Sequence, residues 1–224
     1  MGSYQHIFEL AAARKCGAAA LEELIEPHKP KARKDLEAVP DDRWLAGMTR
    51  YIFMAGFRWR VIETKWPGFE EAFWGFDPHR CAMISDEDTD ALLKDTRIVR
   101  NGAKIASVPL NARFILDLDR EHGSAGRFFA DWPDGDFVGL LDVLKSRASR
   151  LGGEGAMRFL RSMGKPSFIT SRDVTAALIR EGVIDKPPSG KKDLHKIQAA
   201  FNAWAEESGR DLTAISRTLA LSVG

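Results

Sequence analysis

Tyr51-Ile52-Phe53-Met54 is followed, after one alanine, by Gly56-Phe57-Arg58-Trp59. These residue types could handle a flat ligand. A glycine lets the chain turn sharply and lets a ring approach the backbone. The Trp59 indole offers a broad π-face, the Tyr51 phenol can donate or accept one hydrogen bond, and Arg58 brings a fixed positive charge. The same aromatics could equally form a core, with Trp59, Phe53 and Phe57 packed on neighbouring turns. A second constellation is Gly164-Lys165-Pro166-Ser167-Phe168-Ile169-Thr170-Ser171-Arg172. Cations and hydroxyls just ahead of a helix start can hold a phosphate, or they can simply cap a solvent-facing helix. The histidines His6, His28, His79, His122 and His195 show no metal-ligand spacing with Cys16 or Cys81, so neither a metal nor any other cofactor is expected. No residue declares itself catalytic.

The elements that must position these residues read as helices throughout. An Ala-, Leu- and Glu-rich stretch predicts a helix over 5–26, and the proline-bearing, basic 27–40 a surface connection. Asp41 and Asp42 open a helix that Gly56 ends. A second helix starts near Arg58 and is expected to stop before Pro67, with short pieces at Phe69–Phe73 and after Pro78. Ser85 with Asp88 makes a capping-box pattern. Asn101 is a good N-cap for a long helix to about Glu121, expected to bend at Pro109. Helices follow at 137–147 and 156–163, then a tight loop from Gly164 to Ile169 and a helix capped by Thr170 and Asp173. Pro187, Pro188, Ser189 and Gly190 form a linker before two amphipathic helices, 192–207 and 211–221. No alternating strand pattern appears, so the fold class is all-α.

Composition excludes little. The 224 residues can bury one core, with 44% hydrophobic and 29% charged residues. The net charge of +1 is too small to argue for or against nucleic acid. Two distant cysteines form no disulfide framework and suit a reducing cytoplasm. The first residues lack a signal-peptide pattern, and no apolar run approaches the ~20 residues a membrane span needs.

The order of residues 56–118 adds a resemblance. It begins on the glycine-aromatic-X-tryptophan corner and passes a Phe76-Asp77-Pro78 turn and the capped acidic helix. It ends on Ile98-Val99-Arg100-Asn101, Lys104-Ile105 and Asn111-Ala112-Arg113. This order resembles the 3-methyladenine DNA glycosylase type I family of the helix-hairpin-helix superfamily. The resemblance covers roughly residues 40–186, is looser over 155–186, and leaves 1–39 and 187–224 unmatched; the whole is taken as a single glycosylase-like domain. It implies two helical lobes with a pocket between them. The base would be held by Tyr51, Phe53, Gly56, Arg58 and Trp59. DNA would meet Gly164, Lys165, Ser167, Thr170, Ser171 and Arg172 in the hairpin, with Arg100, Asn101 and Lys104 as neighbours, and Asn111 and Arg113 would be scaffold. Asp185 stands roughly where many members of the superfamily carry a catalytic aspartate, and with Tyr51 it makes the pair of catalytic candidates. The implied partner is duplex DNA carrying a damaged base, bound by a monomer in the cytoplasm.

The chain departs from the family at several of its chemical positions. Tyr51 stands where the family carries a glutamate that recognises a cationic methylated base. Ile52, Phe53 and Met54 replace a Gly-Gln-Gln type run, and Arg58 replaces a small residue. Ile169 replaces the second hairpin glycine, and Pro166 removes a donor. The Cys-Gly-Trp opening of the family's zinc site is absent, and the terminal helices could clamp the chain ends instead. Three readings follow: a glycosylase acting on an alkylated purine such as 3-methyladenine, a non-catalytic DNA-binding relative, or a binder of free nucleobases.

Overall fold

A computed structural model describes residues 2–223. Among them it holds fifteen α-helices and no strand. In chain order these are α1 (Tyr4–Arg14), α2 (Ala18–Ile25), α3 (Arg33–Glu37), α4 (Asp41–Met54), α5 (Trp59–Ala72), α6 (Pro78–Cys81), α7 (Asp86–Lys94), α8 (Gly102–Ile105), α9 (Ser107–His122), α10 (Ala125–Asp131), α11 (Phe137–Arg147), α12 (Gly153–Met163), α13 (Arg172–Arg180), α14 (Lys191–Ser208) and α15 (Leu212–Leu221). The all-α expectation holds, and several local expectations are corrected. The single helix expected over 5–26 breaks at Cys16 and Gly17, whose φ angles of 63° and 114° lie in the left-handed region. The supposed surface connection contains α3, anchored by buried Leu36. Helix α5 runs through Pro67, which is exposed, so the carbonyl it leaves unbonded can turn to water. Pro109 falls in the first turn of α9, where proline is tolerated, and the break comes at Ala106 instead. Helix α10 has no counterpart in the sequence reading.

The chain divides into two compact units. One comprises residues 32–132 and 141–163; the other comprises 1–31, 133–140 and 164–224. In the first, α4 is the central helix. Trp44 is fully buried, stacked on Phe129 at 4.1 Å and edge-on to Phe159 at 6.0 Å. Helices α4 and α12 meet at Gly47, where a Cβ would lie 2.6 Å from Met163 Sδ. Arg43 forks onto Glu70 at 2.8 and 3.0 Å and donates to Gly75 O at 2.7 Å. It thereby ties down a turn in which Trp74, Gly75 and Phe76 all have positive φ. The buried Asn111 amide closes both of its bonds on Ser149, donating to its carbonyl at 3.1 Å and accepting from its N–H at 2.7 Å.

Asp41, in the first turn of α4, accepts from Ala125 N at 2.9 Å. Partial burial lifts its pKa above the ordinary aspartate range, and this outweighs the lowering by that hydrogen bond; Asp119 and Asp42 add to the rise. A folded-state pKa above the unfolded value means that the group favours folding only while protonated. Its contribution is complete below about pH 4 and disappears as pH climbs through the raised value. Asp41→Asn keeps the acceptor and removes the charge. It is expected to stabilise the chain modestly at pH 7, with the gain shrinking to nothing near pH 3, as read by urea melts across that range.

The second unit joins the two ends of the chain. Glu207 on α14 accepts from the first amides of α1, at 2.9 Å from Tyr4 N and 3.3 Å from Gln5 N. Trp204 Nε1 donates to Gly2 O at 3.0 Å, Tyr4 Oη and Thr218 Oγ1 lie 3.0 Å apart, and Arg210 forks onto Glu22. Residues near the two chain ends thus pack on one another.

Candidate active site

The corner between α4 and α5 is built by a helix stop and an immediate restart. Ala55 leaves the helical region, Gly56 takes φ +77°, and Arg58 precedes the first helical residue, Trp59. The corner is open rather than packed. The Trp59 indole is 56% exposed and Phe57 42%, and Gly56 and Arg58 are exposed as well. Tyr51 is half-buried on the last turns of α4. Phe53 does not belong to this surface: it is fully buried and meets Phe69 edge-on at 4.7 Å, so of the five proposed pocket residues it is a core residue. Its place on α4, two residues after Tyr51, turns it to the opposite side of the helix.

Two further side chains complete the corner. The Arg60 guanidinium lies 5.7 Å from the centroid of the Trp59 ring, a cation–π contact with the indole. Lys104, expected to neighbour DNA, is only 6% exposed and turns inward to the backbone of α4, donating to Phe53 O and Ala55 O. Burial pushes its pKa down, and the positive charge of Arg150 pushes it further. An ammonium committed to two carbonyls is not free for a phosphate. Asn101 is the N-cap of α8, accepting from Lys104 N at 3.1 Å, while Arg100 remains exposed.

The hairpin differs most from expectation. Gly164 has φ +100° and is covered by the Lys31 stem, which a Cβ there would strike at 2.5 Å; Lys31 N donates to Gly164 O at 2.9 Å. Lys165 is 3% exposed and pairs with Asp134 at 2.8 Å. Ser167 is fully buried, and its amide donates to Thr213 Oγ1 at 3.0 Å. Ile169 N donates to Ser216 Oγ at 3.2 Å. Both hydroxyls belong to α15, so a helix outside the resembling segment occupies amides that were expected to face a phosphate. Gly164, Lys165 and Ser167, expected to meet DNA, are thus buried within this unit. Thr170 and Ser171 are half-buried, with Ser171 rather than Thr170 capping α13, and Arg172 is exposed. Asp185 is exposed as well. Thr213→Val takes the Thr213 hydroxyl away from the buried Ser167 amide that donates to it. The expected cost is ~1–3 kcal/mol in a denaturant melt.

Among the described residues no group of three or more His, Cys, Asp or Glu side chains is placed to hold a metal ion. Cys81 is buried, which pushes its thiol up to about 12, while Cys16 is exposed. No helix among the described residues is long and apolar enough to cross a membrane.

The all-helical arrangement is similar in fold to solved helical DNA glycosylases. Solved structures carry that comparison: a 3-methyladenine DNA glycosylase I from Staphylococcus aureus aligns with TM-score 0.51 and 22% identity, covering 56% of this chain and 77% of that one. A second structure of a 3-methyladenine DNA glycosylase I aligns with the same score and identity over 61% and 82%. Residues 40–138, somewhat less than half of the chain, match the methyladenine glycosylase family. A DNA-3-methyladenine glycosylase of Haemophilus influenzae is 30% identical over 78 residues, which is 35% of this chain and 40% of that protein. The DNA-3-methyladenine glycosylase 1 of Escherichia coli is 32% identical over 66 residues, 30% of this chain and 35% of that protein. The chain thus aligns with less than half the length of these curated relatives.

Proposed function

We propose that the protein is a DNA glycosylase that hydrolyses the N-glycosidic bond of an alkylated purine such as 3-methyladenine, acting as a monomer on duplex DNA. The carrying observation is the open Trp59 indole at the head of α5, within the segment that matches the family. A base inside a duplex is inaccessible to such a surface, so the target nucleotide must be flipped out. Stacking on an aromatic returns ~1–3 kcal/mol per base against the cost of unstacking. Tyr51 offers a hydrogen bond to the base edge. Water then attacks the sugar as the bond to the base breaks, and an alkylated, cationic purine leaves readily without a strong general acid. Incubation with methylated duplex DNA and chromatography of released bases tests the reading. Free 3-methyladenine is expected, and no release from several alkylated substrates would sink it.

A second reading has its own support. The hairpin amides donate to α15, and a phenol stands at the position where relatives carry an acid. On that reading the protein is a relative that binds DNA, with salt-dependent affinity, and releases no base. Tyr51→Glu separates the two. Restoring an acid beside the corner is expected to raise affinity for the cationic purine about tenfold or more, since hydrogen bonds to charged groups contribute ~1.5–3 kcal/mol. Base release rising in step supports a working site with an altered pocket, whereas tighter binding without release supports the non-catalytic reading.

A further inference from the structure

The corner that presents Trp59 has little of its own to hold it. Residues 55–58 are exposed and bury no side chain of their own. Helix α4 ends there, so carbonyls of its last turn lose intrahelical donors. One side chain answers that loss. Lys104 Nζ donates to Phe53 O at 3.1 Å and to Ala55 O. Its charge also sits 4.7 Å from the centre of the Phe57 ring and 5.8 Å from that of Phe53. Lys104 itself is held from behind, because Asn101 caps the short helix α8 that carries it. A buried ammonium is costly unless its protons are used, and here they are used on the C-terminal end of a helix, where a cation is favoured. The contacts converge on the backbone from 53 to 57, just ahead of the restart at Trp59.

We infer that Lys104 is a positioning residue: by clasping the last carbonyls of α4 and the Phe57 ring, it fixes the turn that sets the angle at which Trp59 meets a base. The clasp is a property of the chain, while its consequence for a base rests on the glycosylase reading above.

The test compares Lys104→Met and Lys104→Arg in the full chain. Two quantities are read: amide hydrogen exchange at 55–59 against amides of α14, and binding of free 3-methyladenine by tryptophan quenching, with Trp59→Phe as the blank. The methionine variant is expected to speed exchange at 55–59 and to weaken base binding, each about tenfold. The arginine variant, which keeps the donors and the charge, is expected to recover most of both. Unchanged exchange at 55–59 overturns the clasp, and so does faster exchange spread evenly over the chain, which is the mark of a merely structural residue. Faster local exchange with unchanged affinity overturns the link to the base. Wild-type protein that does not bind 3-methyladenine counts against the glycosylase reading alone, because the exchange comparison still decides the clasp. If the methionine variant does not fold, Lys104→Gln, which keeps a donor without the charge, is held to the same outcomes.

Discussion

Trp59→Ala is expected to weaken binding of free 3-methyladenine by about 5- to 150-fold, the equivalent of the ~1–3 kcal/mol that one base gains on an aromatic face. Release of that base from methylated DNA should fall at least as far, because a flipped nucleotide with no platform returns to the stack. The melting temperature should hardly move. The ring is 56% exposed and stands in the first turn of α5, so its loss opens no cavity. This separation makes the variant informative: a loss of function without loss of fold assigns the indole to the ligand. Calorimetric titration with the free base and a thermal melt of the same preparation are sufficient. Unaltered affinity would remove Trp59 from the site and with it the main physical support for base capture at this corner.

Trp44→Ala is expected to behave in the opposite way, costing ~3–5 kcal/mol of stability in a denaturant melt. Trp44 is fully buried between Phe129 and Phe159, so removing it opens a void in the middle of the helix that carries Tyr51. Among the described residues no acceptor lies within reach of its Nε1. The indole N–H therefore contributes desolvation cost and no bond, which yields a sharper expectation. Trp44→Phe should cost far less than alanine, since it keeps much of the aromatic packing and gives up a buried donor with no partner. Equal losses for the two variants would show that the N–H is satisfied after all.

The readable parts of the chain were those in which cause and effect lie close in sequence. Ser85 and Asp88 form the reciprocal capping box their spacing suggested. Asp41 opens α4, and Gly56 takes the left-handed turn just past its end. The break at Cys16 and Gly17 is masked because helix-favouring residues continue on both sides of it, so that Gly17 is its one local signal and Cys16, a non-glycine residue at positive φ, gives none. The placement of Lys104 is not legible locally: lysine is rarely buried, and the carbonyls that claim it lie about fifty residues earlier in the chain. Arg60, adjacent to Trp59 in sequence, could have been found from an arginine neighbouring an exposed indole. The hairpin was the hardest case. Its local residues do suit a phosphate, and only a helix some forty-six residues further on, through Thr213 and Ser216, shows that the donors are already taken.

The occupied hairpin bears on how such a protein would search a chromosome. Long excursions along a duplex depend on many loose, sequence-blind backbone contacts, and here the amides of Ser167 and Ile169 are withheld from that role. A glycosylase built this way would hold intact DNA briefly and sample it by frequent collisions instead of sustained sliding. Its success at any one lesion would then scale with its abundance in the cell more than with the time spent per visit.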